Sequence, residues 1–384
     1  MRARPRFAGM EVVSALGADL DAFDRGLRDG AGGLRSDPDG TFLGRMPHPP
    51  WDGPGDPLAG FLASVLASAC IRAGQHAPSL LADPDTLLIL STTKGDIAGF
   101  LAPGGETRLG PFLGRVRRAA GHRGHAELVS AACASGAVAI ARAARLLEAG
   151  WGRRALVLGF DRLDPFLVEG FRCLGAMGTT ACRPYDDDRD GLSLGEAATA
   201  VLLVDDDAPG VRLAGVGLSG DAFTIVRPCD DGSGLALAIS RALKDAGEAV
   251  SGCTLASAVD RAAIPSSIPA CPGSRIEGIC GHGTATVAND AMEAAAFRLA
   301  FGDAVPPVFG LKGATGHTLG ACGVLEAVAC ALAIRGGYLP GTPGFSATAL
   351  GLDVVARSRA TAPRRLLTVN AGFGGLDAAL VLEG

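Results

Sequence analysis

The chain has no surplus of basic residues: 35 Lys and Arg stand against 40 Asp and Glu, a formal net charge of −5 at pH 7. A phosphate-backbone binder normally carries a strongly basic face, so nucleic acid is not an expected partner. No stretch near 20 residues is free of charge and turn residues, so no membrane span is expected. The basic start Met1-Arg2-Ala3-Arg4-Pro5-Arg6 is not followed by an apolar segment long enough for a signal peptide, because Gly9, Gly17 and Asp19 interrupt it. The ten cysteines include no C-x-x-C pair, which excludes a zinc ribbon or a thioredoxin-type motif and makes disulfide stapling unexpected. Most lie among small or apolar neighbours, as Cys322 and Cys330 do, where a free thiol behaves as a small hydrophobe in a reducing cytoplasm. Low-complexity tracts are also missing.

Glycine is in excess: 56 of 384 residues, about twice the average share. The glycines concentrate at turns, and 48% hydrophobic residues is ample for buried sheets. Residues 28–58 and 261–274 read as surface loops. Apolar runs bounded by turns predict strands over 86–91, 127–132, 154–159, 199–204, 211–218, 275–280, 306–311, 365–370 and 377–382. Between them, helices are predicted after Cys133, over 234–246, 290–301 and 318–335. This alternation implies an α/β fold with mostly parallel sheets covered by helices. Residues 195–204 and 374–383 close two stretches in the same small-then-apolar style, which suggests a duplicated unit, 1–215 carrying a nucleophile and 216–384 carrying two bases. The helix over 318–335 is apolar on nearly every side and belongs between sheets, and one such helix in each half gives a five-layer αβαβα body.

Three glycine-framed turns carry the chemistry: Ser130-Ala131-Ala132-Cys133-Ala134-Ser135-Gly136, Gly281-His282-Gly283-Thr284-Ala285-Thr286 and Lys312-Gly313-Ala314-Thr315-Gly316-His317. Each reads as strand, small residues around one reactive side chain, then a helix whose dipole points back at the turn. At the first turn of a helix Cys133 is expected to have a lowered pKa, and its small neighbours suit a sharp elbow open to substrate. One cysteine with two histidines suits thioester cleavage rather than a metal site, since zinc would want more ligands or a close carboxylate. Glu326, inside the apolar helix, needs a partner: Lys312, a histidine or backbone amides. Asp290 is an orienting group or a helix N-cap. Two motifs are set aside. Gly215-Val216-Gly217-Leu218-Ser219-Gly220 matches G-x-G-x-x-G without the following helix or acidic residue of a nucleotide site, and Arg183–Gly191 lacks the spaced oxygens of a calcium loop and reads as a salt-bridged structural loop.

An ordered series, Ala132-Cys133-Ala134-Ser135-Gly136, Arg183-Pro184-Tyr185-Asp186, Gly191-Leu192-Ser193-Leu194-Gly195-Glu196, His282-Gly283-Thr284-Ala285-Thr286, Lys312 to Gly320 and Gly372-Phe373-Gly374-Gly375, resembles the β-ketoacyl carrier-protein synthases, condensing enzymes of the thiolase superfamily. The resemblance implies a thiolase-like fold and a catalytic triad of Cys133, His282 and His317, the second histidine favouring decarboxylative condensation over thiolysis. It implies an oxyanion hole from the amides of Cys133 and Phe373, a gate at Phe373, pantetheine contacts at Thr284 and Thr286, and Lys312 and Glu326 as organisers of the histidines. It also implies an acyl carrier protein as partner, with phosphopantetheine supplied by that carrier and no cofactor bound to the chain itself, and a homodimer or a heterodimer with a related subunit. Arg115, Arg117 and Arg118 are candidate docking residues. Local details such as Ser91-Thr92-Thr93-Lys94-Gly95 look most like synthases of aryl polyene pathways. A non-catalytic chain-length-factor-like subunit and a housekeeping fatty-acid synthase are the alternatives. The segments 95–121 and 171–182 are shorter than in the fatty-acid enzymes, and Asn370-Ala371 stands where Ser-Phe is common, which removes a ring near the gate.

Overall fold

Runs such as Thr86–Ser91 are apolar throughout because the strands they form are covered on both faces. In the computed structural model, which describes residues 4–47, 56–102, 105, 108–204, 210–249 and 273–384, the main sheet contains β1 (Arg6–Ser14), β2 (Thr86–Ser91), β3 (Ala126–Val129), β4 (Arg154–Asp161), β5 (Ala197–Val204), β6 (Val211–Gly220), β7 (Gly278–Cys280), β8 (Val308–Phe309), β9 (Arg365–Gly372) and β10 (Leu376–Glu383). Their spatial order is β3-β2-β4-β5-β1-β6-β10-β9-β7-β8. Outward from the centre, β1-β5-β4-β2-β3 and β6-β10-β9-β7-β8 follow the same connections. Their pairings also agree: antiparallel, antiparallel, parallel, parallel. The two units meet at a short ladder, Arg6 opposite Arg212 and Phe7 opposite Val211.

The helices that matter here are α1 (Leu20–Asp29), α2 (Pro57–Arg72), α3 (Leu109–Ala120), α4 (Ser135–Glu148), α5 (Pro165–Cys173), α6 (Ser233–Asp245), α7 (Val287–Phe301), α8 (Lys312–Thr315) and α9 (Cys322–Gly336). Strand alternation sorts the side chains between them. Leu88, Leu90, Leu156 and Leu158 pack under Leu62 and Leu66 of α2 and Val116 of α3, while Leu87, Ile89 and Val157 face Ile140 and Leu147 of α4 and Val324 and Val328 of α9. From the second unit Leu366, Leu380 and Leu382 reach that same middle layer. Leu367, Val369 and Val381 lie on the opposite face, beneath Leu235 and Ile239 of α6 and Phe297 of α7. The result is the five-layer αβαβα body expected from the sequence. The middle helices cross very closely: a Cβ on Gly136 would lie 2.6 Å from Val324 N, and one on Gly323 would lie 2.3 Å from Ala137 N. By length and hydropathy Leu319–Gly336 could cross a membrane, but 83% of it is buried in this layer.

Several expectations change. β1 was not predicted because Gly9 reads as a breaker. Its glycine instead admits a close helix, since a Cβ there would lie 2.0 Å from Ala69 O of α2. Gly215 and Gly217 of the set-aside glycine motif do the same for α6, where Cβ atoms would lie 2.2 and 1.9 Å from Ala242 O and Ala238 O. The helix expected over 318–335 is a 3₁₀ turn, Leu319–Ala321, followed by α9. The loop expected over 28–58 contains the end of α1 and two short strands, Arg35–Ser36 and Phe42–Gly44, and 48–55 lie outside the described residues. Of the loop expected over 261–274, only 273–274 are described. We retain the two-unit division as a proposal but move its join to between Val204 and Val211, because 215/216 falls inside β6.

Candidate active site

The turn after β3 is an elbow. Ala132 adopts φ 47°, a left-handed conformation that costs a non-glycine residue about 1 kcal/mol. Ser135 braces it, its Oγ donating to Ala132 O at 2.6 Å and accepting from Ala131 N at 2.8 Å. Cys133 follows at the start of α4, buried, with its Sγ 3.0 Å from His317 Nε2. Here the sequence expectation of a lowered pKa fails. Burial pushes the thiol up to about 11, and the Lys312 charge and the Phe373 amide offset this only in part.

The second turn, between β7 and α7, presents His282, whose ring stands edge to face against His317 at 87° with centroids 5.2 Å apart. Its main chain is fixed by Glu293 of α7, which accepts from His282 N and Gly283 N at 2.6 Å each. Its side chain is fixed from the other direction. Lys312 Nζ donates to His282 O and lies 3.3 Å from Nδ1, and Asn370 Nδ2 lies 3.4 Å from the same nitrogen. Two donors at Nδ1 leave the ring proton on Nε2. Both imidazoles have pKa values well below the usual range, through burial first and then the Lys312 charge.

Glu326 takes the first of the partners proposed for it: Lys312 Nζ at 2.7 Å, with Asn370 Nδ2 at 2.6 Å and Cys322 Sγ at 3.1 Å. Burial works against the Lys312 ammonium, but Cys322 and Glu326 outweigh it and its pKa is raised. Burial, followed by Glu326, keeps Cys322 a thiol, so Glu326 is the charge that matters. The third turn departs from the expected plan, since the short helix α8 intervenes and His317 leads into a 3₁₀ turn instead of opening a long helix. Its main chain is pinned to the Gly191–Glu196 motif, His317 N donating to Ser193 O at 2.7 Å and Gly195 N to His317 O at 2.9 Å.

Asp290 is not the cap of α7, which is Thr286, and it does not touch His282. It is buried and accepts from Tyr185 N at 2.7 Å and Ala285 N at 3.2 Å. This ties the Arg183–Gly191 loop under the His282 turn. That loop is held by hydrogen bonds to Asp186 and Asp290 and by a buried ion pair between Arg189 and Asp290 at 3.8 Å, in keeping with the salt-bridged loop expected. Thr284 and Thr286, with Oγ1 atoms 2.9 Å apart, line a cavity of about 300 Å³ together with Cys133, His282, His317 and Phe373. The Phe373 ring stacks on Phe171 at 5.9 Å.

Glu293 and Asp161 are supporting residues missed in the sequence, and Asn370 is one whose departure from a motif was seen but whose partners were not. Asp161, at the end of β4, accepts from Thr92 Oγ1 at 2.8 Å, Thr93 N at 2.9 Å and Gly320 N at 2.7 Å, joining the loop after β2 to the turn after His317. Of the proposed docking arginines, Arg115 is engaged by Asp56 and Asp96, and Arg117 donates to Gly124 O. The helix that carries them, α3, ends near the start of β3, whereas Cys133 follows the end of β3.

Known proteins resemble this chain in sequence and in fold. Residues 99–208 match the N-terminal domain and 254–346 the C-terminal domain of beta-ketoacyl synthase. The 3-oxoacyl-[acyl-carrier-protein] synthase 2 of Rhizobium meliloti (strain 1021) is 31% identical over 366 residues, covering 85% of this chain and 81% of that protein. The mitochondrial 3-oxoacyl-[acyl-carrier-protein] synthase of Arabidopsis thaliana is 31% identical over 310 residues, 71% of this chain and 62% of that enzyme's length. Among solved structures, the ishigamide ketosynthase/chain length factor superposes with TM-score 0.85 at 27% identity over 100% of this chain and 99% of the other. The ketosynthase ApeO in complex with its chain length factor ApeC from Xenorhabdus doucetiae gives TM-score 0.80 at 26% identity over 99% and 98%. With both domain profiles matched in order and a relative at 31% identity aligned over four fifths of its length, the chain belongs to the β-ketoacyl synthase family of condensing enzymes.

Proposed function

We propose that this acyltransferase condenses an acyl group carried on Cys133 with malonyl-carrier protein, releasing CO₂ and forming a β-ketoacyl product. The observation that carries the reading is the 3.0 Å contact between Cys133 Sγ and His317 Nε2, with His282 beside it in one cavity closed by Phe373. With the thiol pushed up to about 11 and the imidazole well lowered, the resting pair is neutral, and Cys133 loses its proton to His317 only as it attacks. That proton passes to the departing pantetheine thiol. The amides of Cys133 and Phe373 stabilise the oxyanion of each tetrahedral intermediate. In the second half-reaction the malonyl thioester loses CO₂ while neutral His282, and His317 once its ring proton has moved to Nε2, donate N–H to its carbonyl oxygen, where enolate charge develops. The carbanion then attacks the acyl-cysteine, the C–S bond breaks, and the thiolate takes up one proton from solvent.

Thr284 and Thr286 are proposed to contact the pantetheine arm of an acyl carrier protein, which brings the only prosthetic group the reaction needs. The two ketosynthase/chain-length-factor structures support pairing with a related subunit, and an aryl polyene-type pathway in the cytoplasm is the context we favour. A non-catalytic chain-length-factor role is disfavoured by the retention of Cys133, His282 and His317 in contact geometry. Incubation with a panel of acyl-carrier proteins followed by intact-protein mass spectrometry should show one acyl adduct on Cys133. Cys133→Ala should remove it completely without changing the circular dichroism spectrum, and an adduct that persists in that variant overturns the assignment.

A further inference from the structure

Glu293, Asp290, Glu326 and Asp161 are buried carboxyls around the site, and each accepts hydrogen bonds. Asp377 of β10 is equally buried, 4% exposed, yet its side chain forms no hydrogen bond or ion pair among the described residues. It lines the same cavity as Cys133, Thr284, Thr286 and Phe373. Its cross-strand neighbour on β9 is Ala371, whose methyl leaves the carboxyl open to the cavity where a larger side chain would cover it. On its other side the start of α6 approaches so closely that a Cβ on Gly234 would lie 2.8 Å from Asp377 Oδ2.

A buried carboxyl with no partner is disfavoured in its charged form, which tilts Asp377 towards the neutral acid. Its charged neighbours push the same way: burial, then Asp221 from the loop after β6 and Glu293 from α7, raise its pKa well above the usual carboxyl range. Arg227, which also lines the cavity, is occupied by Asp230. A neutral carboxylic acid offers one O–H donor, and the complement of that donor is a carbonyl oxygen. An alkyl acyl chain has none beyond its thioester, whereas a pantetheine arm passing Thr284 and Thr286 brings amide carbonyls.

We propose that Asp377 is a specificity-determining residue that donates a hydrogen bond to an amide carbonyl of the incoming pantetheine arm. The proposal rests on the reading of Cys133 as the acyl acceptor. A polar acyl group could offer the same carbonyl chemistry, so the test separates arm from chain. Acylation of Cys133 is measured with one saturated acyl group presented on pantetheine, on N-acetylcysteamine and on a simple alkyl thiol, and then with a keto-substituted acyl group on the alkyl thiol. For Asp377→Ala the expected result is a KM about tenfold higher with pantetheine, kcat within twofold of wild type, and no change with either alkyl thioester. Asp377→Asn, which keeps a donor, should restore the wild-type KM and so separates recognition from folding.

An equal loss on all thioesters, a loss confined to the keto-acyl substrate, or an Asn variant as impaired as the Ala variant overturns the proposal. If the wild-type chain acylates normally while these variants show no KM effect, only the Asp377 assignment fails. If the wild-type chain does not acylate at all, the parent reading fails, and this proposal with it.

Discussion

His282 is held from two sides by clusters built on opposite electrostatic plans. On its side-chain face Lys312, Glu326 and Asn370 form a closed network in which an ammonium meets a carboxylate at 2.7 Å. On its main-chain face Glu293 and Asp290 bring two carboxyls against a single looser cation, Arg189, paired with Asp290 at 3.8 Å. The first cluster sets opposite charges against each other, whereas the second relieves like-charge repulsion by keeping a proton. Burial, followed by Asp290, pushes Glu293 up to about 8. A single base can thus be oriented through its ring by a salt-bridged network and through its backbone by an acid whose protonation follows the medium.

The largest expected effect is on the paired side. Lys312→Met strands the Glu326 carboxylate in the core and should cost about 3–5 kcal/mol in denaturant unfolding. It also removes one of the two donors at His282 Nδ1 and the donor to His282 O, so condensation should fall by more than a hundredfold. Lys312→Met with Glu326→Met should recover much of the stability but none of the activity, and a double variant as unstable as the single one breaks the contrast drawn here.

Next comes the acidic side, where Glu293→Gln sacrifices one acceptor for the His282 and Gly283 amides and should cost about 1–3 kcal/mol. The folded-state pKa of Glu293 lies above its unfolded value of 4.5, so the folded protein binds the extra proton between 4.5 and about 8 and loses stability as pH rises through that window. Unfolding midpoints should therefore decline from pH 5 towards pH 8 in the wild type and decline less steeply in Glu293→Gln. Parallel curves would remove Glu293 as the origin of the slope. The smallest effect is expected at Asn370, whose Nδ2 serves Glu326 but whose buried Oδ1 has no partner. Asn370→Ala loses the bond to Glu326 and the longer contact with His282 Nδ1 and deletes one orphan atom, so stability should change by about 1 kcal/mol and turnover by several-fold.

The groups proposed to react were legible in the sequence because each is framed by small residues that have no other reason to be there. Glu326 was legible because a carboxyl inside an apolar helix is conspicuous. Glu293 escaped the same test: α7 carries Asn289, Asp290 and Glu293 on a helix otherwise rich in alanine, and only the fold shows that all three are buried. Asn370 was noticed as a departure from a motif, but its role depends on β9 lying beside α9, a long-range contact with no local signal. The strand alternation survived well, whereas β7 and β8, three and two residues long, are much shorter than their apolar runs. The first lacks residues 275–277 at its start, and the second stops at Phe309, ahead of the turn that carries Lys312. The error in the acidity of Cys133 is of the same kind, because helix position is local information and the depth of burial is not.

The crossing of α4 and α9 at Gly136 and Gly323 has an implication for how this enzyme tolerates change. Cys133, the proposed nucleophile, precedes one helix and His317, the proposed base, precedes the other, so the gap between sulfur and imidazole is inherited from the spacing of two backbones. A methyl group added at either glycine acts as a shim. It would wedge the helices apart at a point one turn from the reacting atoms and detune transfer without altering any group that takes part in it.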